Sequence, residues 1–513
     1  MPFRRVADSP TFHLSRWLFL RLLGSIYLIA FLSLAWQITG LVGENGILPT
    51  NEYLEQVEKS YGNSAYRLFP TLVWLHGSDT FLHVLCLIGV LGSALLVTGI
   101  GTAPILALLW ITYLSLTVVG QTFLQFQWDS LLLETGLLAC FYAPLRWQRQ
   151  VAAQAPPPKA MRLLVWWLLF RLTFLSGITK LVSGDETWNN WTALIFHYET
   201  QPLPTWISWY VHQLPEWVHT LAVGGMFFVE LFVPLVILAP TRQRRLRQFG
   251  CILLVTLQLL IAATGNYGFF NLLTIVLCVT LLDDQALKHL LPKWMTTQTT
   301  KSHESEHDPL IWRATIHIVA ILIIIISVLT FFREIKQTNP EQGRIELLPA
   351  WSQHLVSWAS PFRSINGYGL FRVMTKDRPE IVIEVSQDNV AWREYPFQWK
   401  PGDPSSHPSF IAPHQPRLDW QMWFAALSPA AAQYWLNPLM RHILEGTPEV
   451  LALLGKNPFL DGPPRYVRLV YYQYHFTSAA QKSKKGAWWH RQFLGYLTRP
   501  MSLTDWPMRP SEN

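Results

Sequence analysis

Charge is scarce in this chain. Only 14% of its 513 residues are Asp, Glu, Lys or Arg, against about 25% in ordinary soluble domains, so a wholly water-soluble globule is excluded. Cysteine is nearly absent: the four present, Cys86, Cys140, Cys251 and Cys278, all fall inside apolar runs. They read as small buried hydrophobes rather than disulfide partners or metal ligands, and the soluble parts then fold independently of redox compartment. No metal-ligand spacing, phosphate-cradling glycine loop or nucleophile elbow occurs, so no metal and no cofactor is expected. A basic stripe with interleaved aromatics is also missing, and nucleic acid is therefore not expected as a partner despite a net charge of +7.

What is present is apolar length. Runs suited to spanning a bilayer cover residues 17–38, 81–98, 104–119, 131–143, 163–181, 219–239, 250–264, 269–282 and 311–332. The run at 131–143 is short for a span and follows directly on the mixed stretch 120–136. The 25 tryptophans suit rings that favour the lipid–water boundary. The expected fold class is a polytopic α-helical membrane bundle of about nine spans followed by a smaller soluble α+β domain. Membrane lipid is thus a partner. The first run begins after Arg16 and is long enough to span, so no cleavable signal peptide is expected.

Basic residues set the orientation. The tail with Arg4, Arg5 and Arg16, the loop with Arg146 and Arg149, the cluster Arg242, Arg244, Arg245 and Arg247, and the linker 283–309 thread onto one face, expected to be cytoplasmic. Nine crossings put the C-terminal part on the other side. The chain divides into a transmembrane helical domain, 1–332, and an exoplasmic C-terminal α+β domain, 333–513. In the latter, IVIEVS from Ile381 and RYVRLVYYQYHF from Arg465 alternate as strands, and segments from Asp419, Trp435 and Pro448 read as helices. The end, with Lys482, Lys484, Lys485 and residues 488–491, reads as a basic, solvated tail.

Ionisable residues near the spans are the site candidates. Lys180 stands near the end of an apolar helix, where snorkelling to the headgroups is the simple reading and a desolvated base the sharper one. Beyond it Asp185, His197, Tyr198 and Glu199 occupy a polar, aromatic loop bracketed by Pro202 and Pro204. Glu230 lies mid-span without a neighbouring cation and needs a buried partner, and Pro234 is expected to kink its helix. Trp128, Asp129 and Glu134 form a further group. Asp129 reads as a helix cap or the partner of a basic residue, and Glu134 needs a partner such as Arg171 or Lys180. His317, alone in the last span, is expected to face the protein interior. Client-binding candidates are Trp128, Asp129, Asp185, His197, Tyr198 and Glu199; catalytic candidates are Lys180, Glu134 and Glu230.

Several long strings resemble the lipase maturation factor family: GQTFLQFQWDSLLLETGLLACFYAP, SGITKLVSGDETWNNWTALIFHYETQPLP, GNYGFFNLLTIVLCVTLLDD, NGYGLFRVMTKDRPEIVIEVS and PPRYVRLVYYQYHF. The resemblance covers almost the whole chain. It implies a multi-pass protein of the endoplasmic reticulum that assists folding or assembly of secreted lipases, with clients met on the luminal side. Two departures, no cysteine outside the apolar runs and no retrieval signal at the end, fit a bacterial inner-membrane member with a periplasmic client. Residues 177–181 with Trp188 also resemble a helix end of the vitamin K-dependent carboxylase superfamily, where a lysine before a leucine is the proposed base; Lys180 is the matching position.

Two functions follow. One is a chaperone-like maturation factor holding secreted clients, lipases foremost, and it is the leading expectation. The other is a membrane enzyme of the carboxylase-like superfamily, using Lys180 with Glu134 or Glu230 on a lipidic substrate.

Overall fold

A computed structural model of the chain describes residues 10–100, 102–144, 157–240, 243–292, 309–338, 350–459 and 462–506. Arg4, Arg5, Arg146, Arg149 and Arg242, used above to orient the chain, lie outside the described residues. The apolar runs are helices: α1 (His13–Ala35), α2 (Asp79–Thr98), α3 (Thr102–Val119), α4 (Gln127–Tyr142), α5 (Lys159–Val182), α6 (Glu216–Phe227), α7 (Arg244–Thr264), α8 (Phe270–Val279) and α9 (Leu310–Thr338). Helix α6 continues through a π-helical turn, Phe228–Phe232, into Val233–Ile237.

Among the described residues, seven helices are long and apolar enough to cross a membrane. The number is up to eight if α8 and Asp284–Leu290, bent by 117°, form one broken span. α4 has only 16 residues. It nevertheless passes between the same two ends of the bundle, with Phe126 and Trp128 near Trp420 at one end and Tyr142 against Phe19 at the other. The membrane-bundle class therefore stands, with α4 and α8 as its short members.

Local chemistry explains the helix ends. The Ser78 hydroxyl accepts from Phe81 N at the start of α2, and Gly99 closes it at φ +88°, a conformation that favours glycine. No side chain within α1 caps its own start. Instead the Asp284 carboxylate, distant in sequence, accepts from the amides of His13, Leu14 and Ser15 at 2.8–3.3 Å. An anionic group there satisfies free amides and opposes the positive helix end. The same end gathers cations: Arg162 lies 4.0 Å over Phe12, and Arg244 pairs with Asp283 at 3.0 Å.

The C-terminal part sits on the opposite end. Four antiparallel strands, β1 (Pro379–Ser386), β2 (Trp392–Tyr395), β3 (Tyr466–Phe476) and β4 (Trp489–Tyr496), run in the order β2-β1-β3-β4. Ile383 pairs with Leu469 and Tyr395, both buried, which fixes one face toward α11 (Arg417–Leu427), with α10 (Ala350–Ala359) earlier and α12 (Pro429–Glu445) after it. The apolar core continues without a break from the bundle into this part; Phe123 meets Trp435 edge-on at 5.9 Å.

Two expectations are corrected. The basic, aromatic end is not a solvated tail: residues 489–496 form the edge strand β4, with Trp489 buried. Its other side chains are largely exposed, so the alternation that betrays a half-buried strand is missing from the sequence. His317 faces outward from α9 rather than inward, and its ring bonds the carbonyl of Arg313 one turn back.

Candidate functional site

Lys180 does not snorkel. Its side chain is buried near the end of α5, and Nζ donates to both oxygens of Glu230 at 2.9 and 2.8 Å. Two backbone features bring them together. Gly177, one turn before Lys180, lets the chain of α6 approach so closely that a Cβ there would lie 2.9 Å from Glu230 Cβ. The π-helical turn, ahead of Pro234, rotates Glu230 toward α5. Such turns mark helices interrupted for a purpose. The partner that mid-span Glu230 requires is thus Lys180, 50 residues away.

The pair borders a cavity of about 720 Å³ enclosed by α5, α6, α7, α8 and segments of the C-terminal part. Its walls are mainly apolar and aromatic, with Trp188, Phe371, Trp420 and Trp423 prominent. Lys180 Nζ lies 5.3 Å from the centre of the Trp188 ring, whose Nε1 donates to Phe371 O at 3.0 Å. Phe371 holds φ +50°, a left-handed conformation that costs a bulky residue and is kept only where its surroundings impose it. His197 also opens onto the cavity; its Nε2 lies 3.3 Å from Tyr267 OH, and the hydroxyl donates to Gln201 Oε1 at 2.8 Å. Burial, with the positive charge of Lys180 adding to it, lowers the His197 imidazole to about 4, so it is neutral at pH 7. Asn271 and Gln258 bond each other at 2.8 Å on the far wall.

The other sequence candidates lie elsewhere or do other work. Glu134 is not beside Lys180. It pairs with Arg171, accepts from Tyr368 OH at 2.8 Å and from Asn366 N at 3.0 Å, and so ties the bundle to the segment around NGYG. Asp129 sits in the first turn of α4 but makes no cap. It takes Arg417 through both oxygens, at 2.9 and 2.8 Å, together with Tyr113 OH at 2.5 Å. Asp185 caps the short helix Glu186–Asn189 and accepts from Met374 N at 3.0 Å. Glu199 binds His475 Nδ1 at 2.8 Å and Phe476 N at 2.7 Å. Trp128, His197 and Tyr198 line the cavity; Asp129, Asp185 and Glu199 are bonded to the C-terminal part.

The strings that carried the resemblance therefore meet in space, and their relation to known proteins is equally extensive. Residues 14–289 match the lipase maturation factor transmembrane domain, and residues 364–499 match the lipase maturation factor C-terminal domain. The chain belongs to the lipase maturation factor family. It is 36% identical to lipase maturation factor 2 of Gallus gallus, across 96% of this chain and 82% of the relative. Identity to lipase maturation factor 2 of Homo sapiens is 35%, over 96% and 83%. Identity to lipase maturation factor 1 of Mus musculus is 34%, over 98% and 90%. No solved structure matches the chain.

In this lipase maturation factor family member, the residues that sequence reasoning missed are mostly partners from the C-terminal part. Arg417 and Arg378 are fully buried arginines there. Arg378 donates to Glu199 O at 2.7 Å and Pro202 O at 2.9 Å and pairs with Glu380. The available signal was a lone arginine beside apolar helix residues in PRLDWQMWF, since a buried guanidinium demands a counter-charge. Tyr267 carried a weaker signal, as a tyrosine in the tight GNYG hairpin between two apolar runs.

Proposed function

We propose that this chain is a membrane-embedded maturation factor that holds immature secreted enzymes, lipases foremost, on the non-cytosolic side of the membrane. The observation that carries the reading is similarity along 96% of the chain to relatives named lipase maturation factor 2. Gathering of the basic residues Arg162 and Arg244 at one end of the bundle and of the sheet domain at the other supports the orientation. The membrane is that of the endoplasmic reticulum in a eukaryote and the inner membrane in a bacterium. The working division is a transmembrane domain, 1–332, and an exoplasmic domain, 333–513, joined by the buried Asp129–Arg417 and Glu134–Tyr368 contacts and by the half-exposed His475 on Glu199.

Client contact falls to the exposed edge strand β4, where Phe493, Leu494 and Tyr496 are about half exposed. An open strand edge with apolar side chains suits an incompletely folded chain. Asp129, Asp185 and Glu199 serve by setting the position of that domain. The carboxylase-like reading is less well supported: Lys180 is engaged by both oxygens of Glu230 and is not a free amine. In this account the Lys180–Glu230 pair and its cavity are the functional centre of the bundle.

The test is co-expression of the full chain with a secreted lipase in cells that lack their own lipase maturation factors. The expected result is higher lipase activity per unit of secreted lipase, and capture of immature lipase by the detergent-solubilised chain. Unchanged specific activity together with no capture overturns the reading.

A further inference from the structure

The basic end of the bundle holds a cation that client maturation leaves unused. Arg162, near the start of α5, is only 8% exposed. Its guanidinium lies 4.0 Å from the centre of the Phe12 ring and 5.4 Å from that of Trp166. Among the described residues no carboxylate pairs with it. Asp283 is taken by Arg244 at 3.0 Å and by Ala286 N at 2.9 Å, and Asp284 by the amides that open α1. Arg247 stands at the same two rings, 5.4 Å from Trp166 and 6.0 Å from Phe12, and donates to Pro240 O at 3.2 Å. Two like charges thus share one aromatic platform.

Ring faces attract a guanidinium but do not neutralise it, and a buried ion lacking an opposite charge is strongly disfavoured. Nor is Arg162 sealed off. Of its three nitrogens only Nε is enclosed; the terminal two make no hydrogen bond and keep accessible surface. The fork therefore has an open edge, and its geometry matches the oxygens of a phosphate. Position narrows the choice further. Leu163 beside Arg162, and Leu246 and Phe249 beside Arg247, are exposed on the outer, apolar surface of the bundle. Both arginines lie close to the start of their helices, the depth of phospholipid headgroups. Basic pockets between spans on the cytosolic side hold such headgroups.

We propose that Arg162, with Arg247 beside it, forms a site for a phosphate group, carried by an anionic phospholipid of the bilayer or free in solution. The terminal nitrogens of Arg162 donate to the phosphate oxygens, and the Phe12 and Trp166 rings hold the guanidinium in place. The site lies at the opposite end of the bundle from the sheet domain and does not depend on which client is held.

The experiment follows the melting temperature of the full chain, delipidated in a non-ionic detergent. It is titrated with phosphatidylglycerol, with diacylglycerol of the same acyl chains, or with sodium phosphate against sodium chloride of equal ionic strength. Native mass spectrometry counts the lipid retained. The expected result is stabilisation by phosphatidylglycerol with one molecule retained, and none by diacylglycerol. Stabilisation by sodium phosphate alone assigns free phosphate as the source; either result supports the site. Arg162→Met keeps the stem against Phe12 and removes the fork, and apparent affinity should fall at least about tenfold, as for a lost charge-assisted hydrogen bond. Arg162→Lys keeps the charge without the fork and should recover only part of that loss. Arg245→Gln, at an exposed arginine of the same end, should weaken binding about fivefold at most, the effect of one charge near a membrane surface. Equal stabilisation by diacylglycerol, or none by either phosphate source, overturns the proposal. So does binding by both Arg162 variants as tight as the parent's, or a loss in Arg245→Gln as large as in Arg162→Met. Lipase specific activity is a separate readout, so failure here leaves the maturation reading standing.

Discussion

Two buried ion pairs, Asp129–Arg417 and Lys180–Glu230, lie on neighbouring helices of one bundle and are used differently. Around Asp129 both carboxylate oxygens are taken by protein: Arg417 reaches both of them and Phe123 O, and Tyr113 adds its hydroxyl. Around Lys180 the only bonded acceptor of Nζ among the described residues is Glu230, and a cavity opens beside the pair. The first arrangement is a clasp between the bundle and the sheet domain. The second is a pair retained at a site. Burial alone does not tell them apart, since desolvation offsets much of the attraction in both.

That difference can be broken most sharply by removing Arg417. Arg417→Ala leaves Asp129 buried without its cation and should cost about 3–5 kcal/mol, read as early thermal unfolding of the purified full chain. A variant as stable as the parent would show that the clasp is ornamental. Glu199→Gln is milder. His475 is about half exposed and Phe476 N keeps an acceptor, so solvent screening limits the loss to roughly 1 kcal/mol. The same thermal measurement checks it.

Acidification probes the cavity side. His197 is held at about 4 in the folded chain by burial and then by Lys180, against 6.5 when unfolded. The unfolded state therefore takes up a proton first as pH falls. The contribution of neutral His197 is full above 6.5 and declines from there toward 4. Over the first pH unit below 6.5 it amounts to about 1 kcal/mol at most. His212 and His414 are lowered by burial as well, so the measurement is the difference in melting temperature between parent and His197→Phe across pH 7 to 5. A difference that does not vary with pH would contradict the assignment. The smallest effect is expected for Lys180→Met combined with Glu230→Met. Apolar residues of similar volume replace the whole pair, and stability should change by no more than about 1 kcal/mol. The matching swap at Asp129 and Arg417 would strand Tyr113 OH and Phe123 O, and should be clearly destabilising.

Much of this was legible in the sequence, for particular reasons. The apolar runs announce the helices because lipid exposure demands length and hydropathy, and β3 announces itself by alternation in YVRLVYYQYHF. Edge strand β4 does not, because Trp489 is its one buried residue and the rest of its side chains stay partly or largely exposed. Glu230 advertised its need for a cation, but the π-helical turn and the approach at Gly177 that select Lys180 are three-dimensional facts. Asp129 and Arg417 are 288 residues apart, and no local pattern joins them. The sequence located the residues that need partners. The fold assigned the partners.

The most direct measurement is the specific activity of a secreted lipase made with the Lys180→Met, Glu230→Met double variant, at normal abundance and normal melting temperature of the variant chain. Lipase activity per unit of secreted lipase is expected to fall to the level seen without the factor. Full lipase activity with this variant would contradict it.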